Sequence, residues 1–277
     1  MKAVVVPIGE FAVPDAAALP PEWQAWAEEP GRAVLLQDGE ETVGVVCVAV
    51  VGRGEAWLEG LWVRPAARGT GVGRRLVAEA EVVACSHGAT LVRTAVPARD
   101  YAALAVAERG GFARLCEAVV LVAGLPASPM EMPYDAPVRT VAPDEAPALA
   151  QALLGAESLA GWRGLVPLGW RFRRIVPELV RGLAKDRRAL RAGAGGEGAA
   201  LFALRGETAV ISALAGPTQH RQALVAEIAA RAAAAGGRRL VLFAPSAEAA
   251  QGLRAAFAPH PWCPDGLVVV EKMVEVR

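Results

Sequence analysis

The chain has 277 residues, 54% of them hydrophobic and 21% charged, and its 29 basic residues balance 29 acidic ones. That length fits one large domain or two ordinary ones and buries roughly 75% of the surface an unfolded chain exposes, which excludes general disorder. No charge-free apolar run approaches the ~18 residues of a bilayer span, and the opening MKAVVVPIGEF meets Gly, Glu and Pro too early for a secretory leader, so the expectation is a soluble, cytoplasmic protein without a membrane partner. Cys47, Cys85, Cys116 and Cys263 lie far apart with no CxxC spacing. They read as buried free thiols, with no metal site or disulfide framework expected.

In chain order, residues 33–36, 42–51 and 56–63 are rich in Val, Leu and Trp, and QDGEE with Asp38-Gly39 at its tip makes a hairpin turn between the first two. Three consecutive antiparallel strands are predicted. Helical spacing of Val72, Leu76, Val77, Ala80, Val83 and Ala84 then predicts a helix over 71–86, stopped at His87-Gly88, with His87 as its cap. A strand over 91–96 completes a βαβ crossover with parallel strands. A second helix, 100–109, starts at an Asp100 N-cap and ends at Gly110-Gly111, and strand character returns over 112–122.

The segment from Gly124 to Pro137 holds four prolines and resists helix and strand alike. It divides the charge as well: up to Ala136 there are 11 basic and 17 acidic residues, and beyond it 18 and 12. The expected organisation is a first domain over 1–125, a linker over 126–136 and a second domain over 137–277. The second half repeats the order of the first. Strand 138–141 and helix 144–154 lead to an Arg-rich helical region over 162–191 and a flexible AGAGGEG stretch. Strands 199–204 and 209–214, helix 219–235, strand 239–243, helix 247–257 and a terminal strand over 267–276 follow. Within the Arg-rich region, the run over 171–191, with Phe172 its one aromatic, reads as a solvated helix face, so a nucleic-acid partner is not expected.

The chemistry concentrates where the third strand meets the first helix, in Val63-Arg64-Pro65-Ala66-Ala67-Arg68-Gly69-Thr70-Gly71-Val72-Gly73-Arg74. A helix N-terminus exposes unpaired N–H groups and the positive end of its dipole, and glycines there let a pyrophosphate approach the backbone. No Lys follows in GxxxxGK[ST] spacing, and Gly69-Thr70-Gly71-Val72-Gly73 lacks the gap of a dinucleotide GxGxxG, so two common phosphate loops are excluded.

Residues 63–73 match V-x-P-x-x-R-G-x-G-x-G, and with them the sequence resembles the GNAT superfamily of acyl-CoA-dependent N-acetyltransferases over roughly 42–122. The resemblance implies an α/β fold of two GNAT-like domains, each a mixed, mostly antiparallel sheet flanked by helices with a splayed parallel pair at its centre. It implies acetyl-CoA as co-substrate. Leu61, Trp62 and Val63 would pair through their backbone with the pantetheine arm. The amides of Gly69, Thr70, Gly71, Val72, Gly73 and Arg74 would hold the pyrophosphate, with Arg68 adding positive charge. Asp100 stands where the family commonly places an Asn on the cofactor; Asp accepts a hydrogen bond but donates none.

Direct transfer to an amine needs a base, and Glu59 in WLEGLWV is the candidate, with strand alternation putting Leu61 and Val63 on its side. The family's acid, a Tyr five residues before the Gly-Phe phenylalanine, is replaced by Ala107, and Tyr101 lies about 240° around the helix from that position. The matching junction of the second half, LAGPTQHRQ, has one glycine, so that half is expected not to bind CoA and instead to close the cleft, complete the sheet or form a homodimer surface. The acceptor is expected to be a small-molecule or peptide amine, bordered by the segment that holds Trp23 and Trp26. The competing reading is a CoA-binding regulatory or assembly protein whose catalytic groups have decayed.

Overall fold

A computed structural model describes residues 1–10, 31–125, 136–253 and 256–275. Trp23, Trp26 and nearly all of the expected linker lie outside the described residues. In chain order the strands are β1 (Lys2–Pro7), β2 (Arg32–Asp38), β3 (Glu41–Gly52), β4 (Glu55–Val63), β5 (Leu91–Pro97), β6 (Ala113–Gly124), β7 (Val138–Thr140) and β8 (Leu165–Leu168). They continue with β9 (Arg171–Arg174), β10 (Ala189–Ala192), β11 (Gly198–Arg205), β12 (Thr208–Ala215), β13 (Arg239–Ala244), β14 (Ala258–Pro259) and β15 (Leu267–Met273). The helices are α1 (Val72–Ser86), α2 (Tyr101–Arg109), α3 (Ala146–Leu154), α4 (Pro177–Lys185) and α5 (Thr218–Ala234). Two compact units result: Met1–Leu115 with Val268–Arg277, and Cys116–Leu267.

In the first unit the strand order is β1-β2-β3-β4-β5-β15. β1 to β4 form antiparallel pairs, and β5 runs parallel to β4. The parallel register extends only from Glu55↔Leu91 to Trp57↔Arg93, so β4 from Leu58 onward parts from β5. α1 places Val72, Leu76, Val77, Ala80 and Ala84 on one stripe, and they pack with Val34, Leu36, Val46 and Leu58 of the sheet. Contact is close enough that a Cβ on Gly44 of β3 would lie 2.8 Å from Leu76 Cδ1 and 3.0 Å from Val72 Cγ1. The other face of the sheet holds Ile8, Ala33, Leu35, Val45, Cys47 and Trp62.

The division between the units departs from the boundaries expected at 125 and 137. Val268, Val270 and Val274 of the chain's last segment lie in the same core cluster as Leu76. Arg93 of β5 is 2% exposed and donates from Nη1 to Glu55 at 2.9 Å and from Nε to Glu271 of β15 at 3.1 Å. β6, expected with the first domain, pairs with β13 from Val119↔Ala244 to Gly124↔Arg239 and puts Leu121 into the second core. Hydrophobic pattern identifies β6 and β15 as strands but not the core each joins.

In the second unit the order is β6-β13-β12-β11-β10-β7, with β12 and β13 parallel from Thr208↔Arg239 to Ile211↔Leu242. Three segments differ from expectation. The Arg-rich region is no single helix: β8 and β9 form a hairpin whose two-residue turn, Gly169-Trp170, has φ of 59° and 77°, and only Pro177–Lys185 is helical before β10. Arg171 and Phe172 are buried there, Phe172 meeting Trp162 and Phe243 edge to face, so the run is no solvated helix face. AGAGGEG is a packed turn, since a Cβ on Gly196 would lie 2.9 Å from Arg191 Cδ and one on Gly195 2.9 Å from Glu197 Oε1. Residues 247–253 form turns instead of the expected helix.

Candidate functional site

The junction of β4 and α1 begins with a one-turn 3-10 helix, Pro65–Ala67. Arg64 anchors it by donating from Nη2 to the Thr42 carbonyl at 3.0 Å and by an ion pair with Glu41. The hydrogen bond from Arg64 holds the Glu41 carboxyl below its ordinary pKa. The amides of Ala67 and Arg68 are used within this turn, donating to Arg64 and Pro65 carbonyls. The next backbone bond belongs to Arg75, whose N–H donates to the Gly71 carbonyl and opens α1. Among the described residues, the six N–H groups from Gly69 to Arg74 therefore make no backbone hydrogen bond.

Gly69 and Gly71 have φ of 79° and 89°, and a Cβ on either would meet nothing within 4 Å. The turn faces open space, and its glycines serve the left-handed conformation at both positions. Gly73 is different: its Cβ would lie 3.5 Å from Val106 Cγ2 of α2 and 3.7 Å from Val63 Cγ2. Arg68 curls back to donate from Nε to the Val63 carbonyl at 3.1 Å, and Thr70 Oγ1 donates to the Ala67 carbonyl at 2.8 Å. A run of free amides at the positive end of a fifteen-residue helix is a main-chain anion cradle.

Leu61, Trp62 and Val63 lie on the part of β4 that has parted from β5. Leu61 and Val63 pack toward α1, whereas Trp62 joins the opposite face. Glu59 is 6% exposed and stands opposite Cys47 of β3. The alternation expected for it fails, because the β3 register jumps between Val45↔Trp62 and Cys47↔Glu59, and Gly60 takes φ of 64°. This bulge inserts one extra residue into β4 and reverses the phase, so Glu59 shares its face with Cys47 and Trp62 instead of Leu61 and Val63. A glycine inside a strand pattern is the sequence signal for such a bulge.

Asp100 is exposed, and its Oδ1 accepts from the Ala103 N–H at 2.9 Å, the N-cap of α2. Ala107, at the position of the missing acid, is 5% exposed in the core, and Tyr101 is 74% exposed. His87 bonds the Val83 carbonyl through Nδ1 at 2.9 Å at the end of α1.

The corresponding junction of the second unit is filled by the chain itself. A Cβ on Gly216 would lie 2.6 Å from the Glu197 carbonyl oxygen. Arg221 of α5 is 9% exposed and reaches back over its helix start, with Nη2 donating to Thr218 Oγ1 at 3.2 Å and to the Gln251 carbonyl at 3.4 Å. Gln222 donates from Nε2 to the Gly252 carbonyl at 3.1 Å. Segment 247–253 is thereby tied across the α5 start, and burial lowers the pKa of Arg221. Sequence reading does not find this clasp, because Arg221 and Gln222 look like ordinary solvated helix residues.

Residues 7–112 match the model of the acetyltransferase (GNAT) family, a span inside the first unit that includes the whole turn from Val63 to Gly73. A tandem GNAT protein from the clavulanic acid biosynthesis pathway has a TM-score of 0.59 to this chain at 16% identity, covering 98% of each. A GCN5-related N-acetyltransferase from Sphaerobacter thermophilus has a TM-score of 0.60 at 21% identity, covering 98% of this chain and 95% of its own. These likenesses establish the fold. No curated protein matches the chain by sequence. Residues 7–112 are thus a GNAT-family segment, in a chain with the fold of tandem GNAT acetyltransferases. No helix among the described residues is long and apolar enough to cross a membrane.

Proposed function

We propose that the protein is an N-acetyltransferase that moves the acyl group of acetyl-CoA directly to a primary amine, with the reaction centred on the first unit. The run of six uncommitted N–H groups from Gly69 to Arg74, beside glycines that face open space, carries this reading. These amides take the pyrophosphate, with Arg68 and Arg74 adding charge, and the free edge of Leu61 to Val63 takes the pantetheine arm as an added strand. Asp100 bounds the cofactor site at the start of α2 and can only accept a hydrogen bond. The thioester then lies where β4 and β5 part.

Glu59 sets the side from which the amine comes. Its place beside Cys47 and Trp62 puts the acceptor on the sheet face away from α1. The amine nitrogen attacks the thioester carbon, the C–S bond breaks, Glu59 takes the surplus amine proton, and solvent protonates the departing thiolate in place of the absent tyrosine. The second unit takes no CoA, because Gly216 is packed against Glu197 and segment 247–253 covers the α5 start.

Calorimetric titration with acetyl-CoA tests the cradle. Gly71→Val forces a β-branched residue to φ of 89° and should weaken binding at least tenfold. Undiminished binding by this variant sinks the proposal. Ala107, buried where relatives hold an acid, favours a second reading as a CoA-binding regulatory protein. A broad panel of amines scored for release of free CoA separates the two: turnover above hydrolysis supports the enzyme, and tight binding with silence supports the regulator.

A further inference from the structure

The second unit holds a pocket that acyl transfer in the first does not use. It is a half-open groove of about 520 Å³ beside the ends of β11 and β12, with Glu157 and Glu197 exposed at its edge, and its volume is within the usual size of small-molecule sites. Ala199 and Ala215 supply methyl walls, and Glu157, Ser158, Arg191 and Glu197 supply its polar groups. Among the described residues, neither Glu157 nor Glu197 makes a hydrogen bond or an ion pair. Arg191 donates from Nη1 to the Gly196 carbonyl at 2.6 Å, its charge also acts on Glu145, and among the described residues its other four N–H donors make no hydrogen bond. Ser158 Oγ is turned to the Leu214 carbonyl at 3.5 Å, tying the pocket's outer wall to the sheet.

The rim is built, not slack. Gly193, Gly196 and Gly216 have φ of 90°, 73° and 104°, and their missing Cβ atoms make the room that Arg191 and Glu197 occupy. A Cβ on Gly193 would meet both the Glu197 carboxylate and the His220 ring, whose buried Nδ1 has no hydrogen-bond partner among the described residues. Two uncommitted carboxylates and one guanidinium fork around a short apolar wall complement a zwitterion. An ammonium group answers the carboxylates, and a carboxylate is the planar, two-pronged partner an arginine fork binds best.

We propose that this pocket binds a free α-amino acid with a short aliphatic side chain, its ammonium toward Glu157 and Glu197 and its carboxylate on Arg191. The site needs nothing from the reading of the first unit as an acetyltransferase. Three probes of one carbon skeleton isolate the charges: L-norvaline has both, butylamine only the ammonium, and pentanoate only the carboxylate. In a nuclear magnetic resonance titration of the full chain, norvaline should shift the amides of Gly196, Glu197 and Gly216 saturably, with butylamine and pentanoate each at least tenfold weaker. The double variant Glu157→Gln/Glu197→Gln should weaken norvaline about tenfold and leave acetyl-CoA titration of the first unit unchanged. Arg191→Gln should remove the advantage of norvaline over butylamine. If that variant fails to fold for want of its Gly196 contact, the glutamate pair, which holds nothing in the protein, decides the matter. No saturable shift up to about 50 mM norvaline, equal binding of all three probes, or indifference to the double glutamate change overturns the proposal.

Discussion

Gly60 decides more of the proposed chemistry than its size suggests. By taking a left-handed conformation it puts Glu59 on the face of Cys47 and Trp62, so the position of the proposed base depends on one backbone angle. Glu59→Gln keeps the shape and removes the proton acceptor; turnover should fall about 100-fold near neutral pH with acetyl-CoA affinity unchanged, as steady-state rates and calorimetry would show. An unchanged rate takes Glu59 out of the mechanism. In the second unit, Glu145 has its pKa lowered to about 2, first by the hydrogen bonds from Arg139 and then by the Ala142 N–H. A carboxyl depressed by folding stabilises the native state at pH values above its unfolded pKa, and that contribution is lost as pH falls toward 2. Arg139→Ala should raise the Glu145 titration toward the ordinary carboxylate range, with the Ala142 N–H still holding it lower, as read from the side-chain carbon shift.

At the scale of elements, α1 and its turn were the legible part. Six apolar residues at helical spacing, a glycine-rich start and a His87-Gly88 stop can each be read without coordinates, and the structure places α1 over Val72–Ser86. The close approach of that helix to β3 is not visible in the pattern. Gly44→Ala should cost about 1–3 kcal/mol in denaturant unfolding, because Leu76 and Val72 would have to give way. The region 162–191 misled for a physical reason: arginine stems count as apolar once buried, so Arg171 and Phe172 can both lie inside although their letters suggest a wet helix. AGAGGEG misled in the opposite sense, since glycine marks room for neighbouring side chains as readily as slack chain. At the site, the amides and glycines were legible because they are local. The bulge had a signal in Gly60, while the Arg221 clasp and the mixed-charge pocket arise from residues far apart in sequence.

At the scale of the whole molecule, the first unit depends on the last strand of the chain. Val268 and Val270 fill its core, and Glu271 and Lys272 pair with Arg93 and Glu81. Ending the chain at Leu267 should therefore leave the second unit folded, while α1 loses amide protection in hydrogen exchange and acetyl-CoA binding is lost. Retained binding by the shortened chain would show β15 to be dispensable. Replacing Arg93 by Met removes a buried guanidinium that bonds both Glu55 and Glu271 and should cost about 3–5 kcal/mol, measured by denaturant unfolding of the first unit.

Protein synthesis runs from one end, and this topology turns that direction into a schedule. The ribosome makes the greater part of the first unit early, yet the residues that finish it emerge only after the whole of Cys116–Leu267. Cys116–Leu267 can assemble before β15 is complete, whereas the first unit waits for that strand. A transcript cut short anywhere in the second half would yield a protein with its recognisable motif intact and no completed fold to present it.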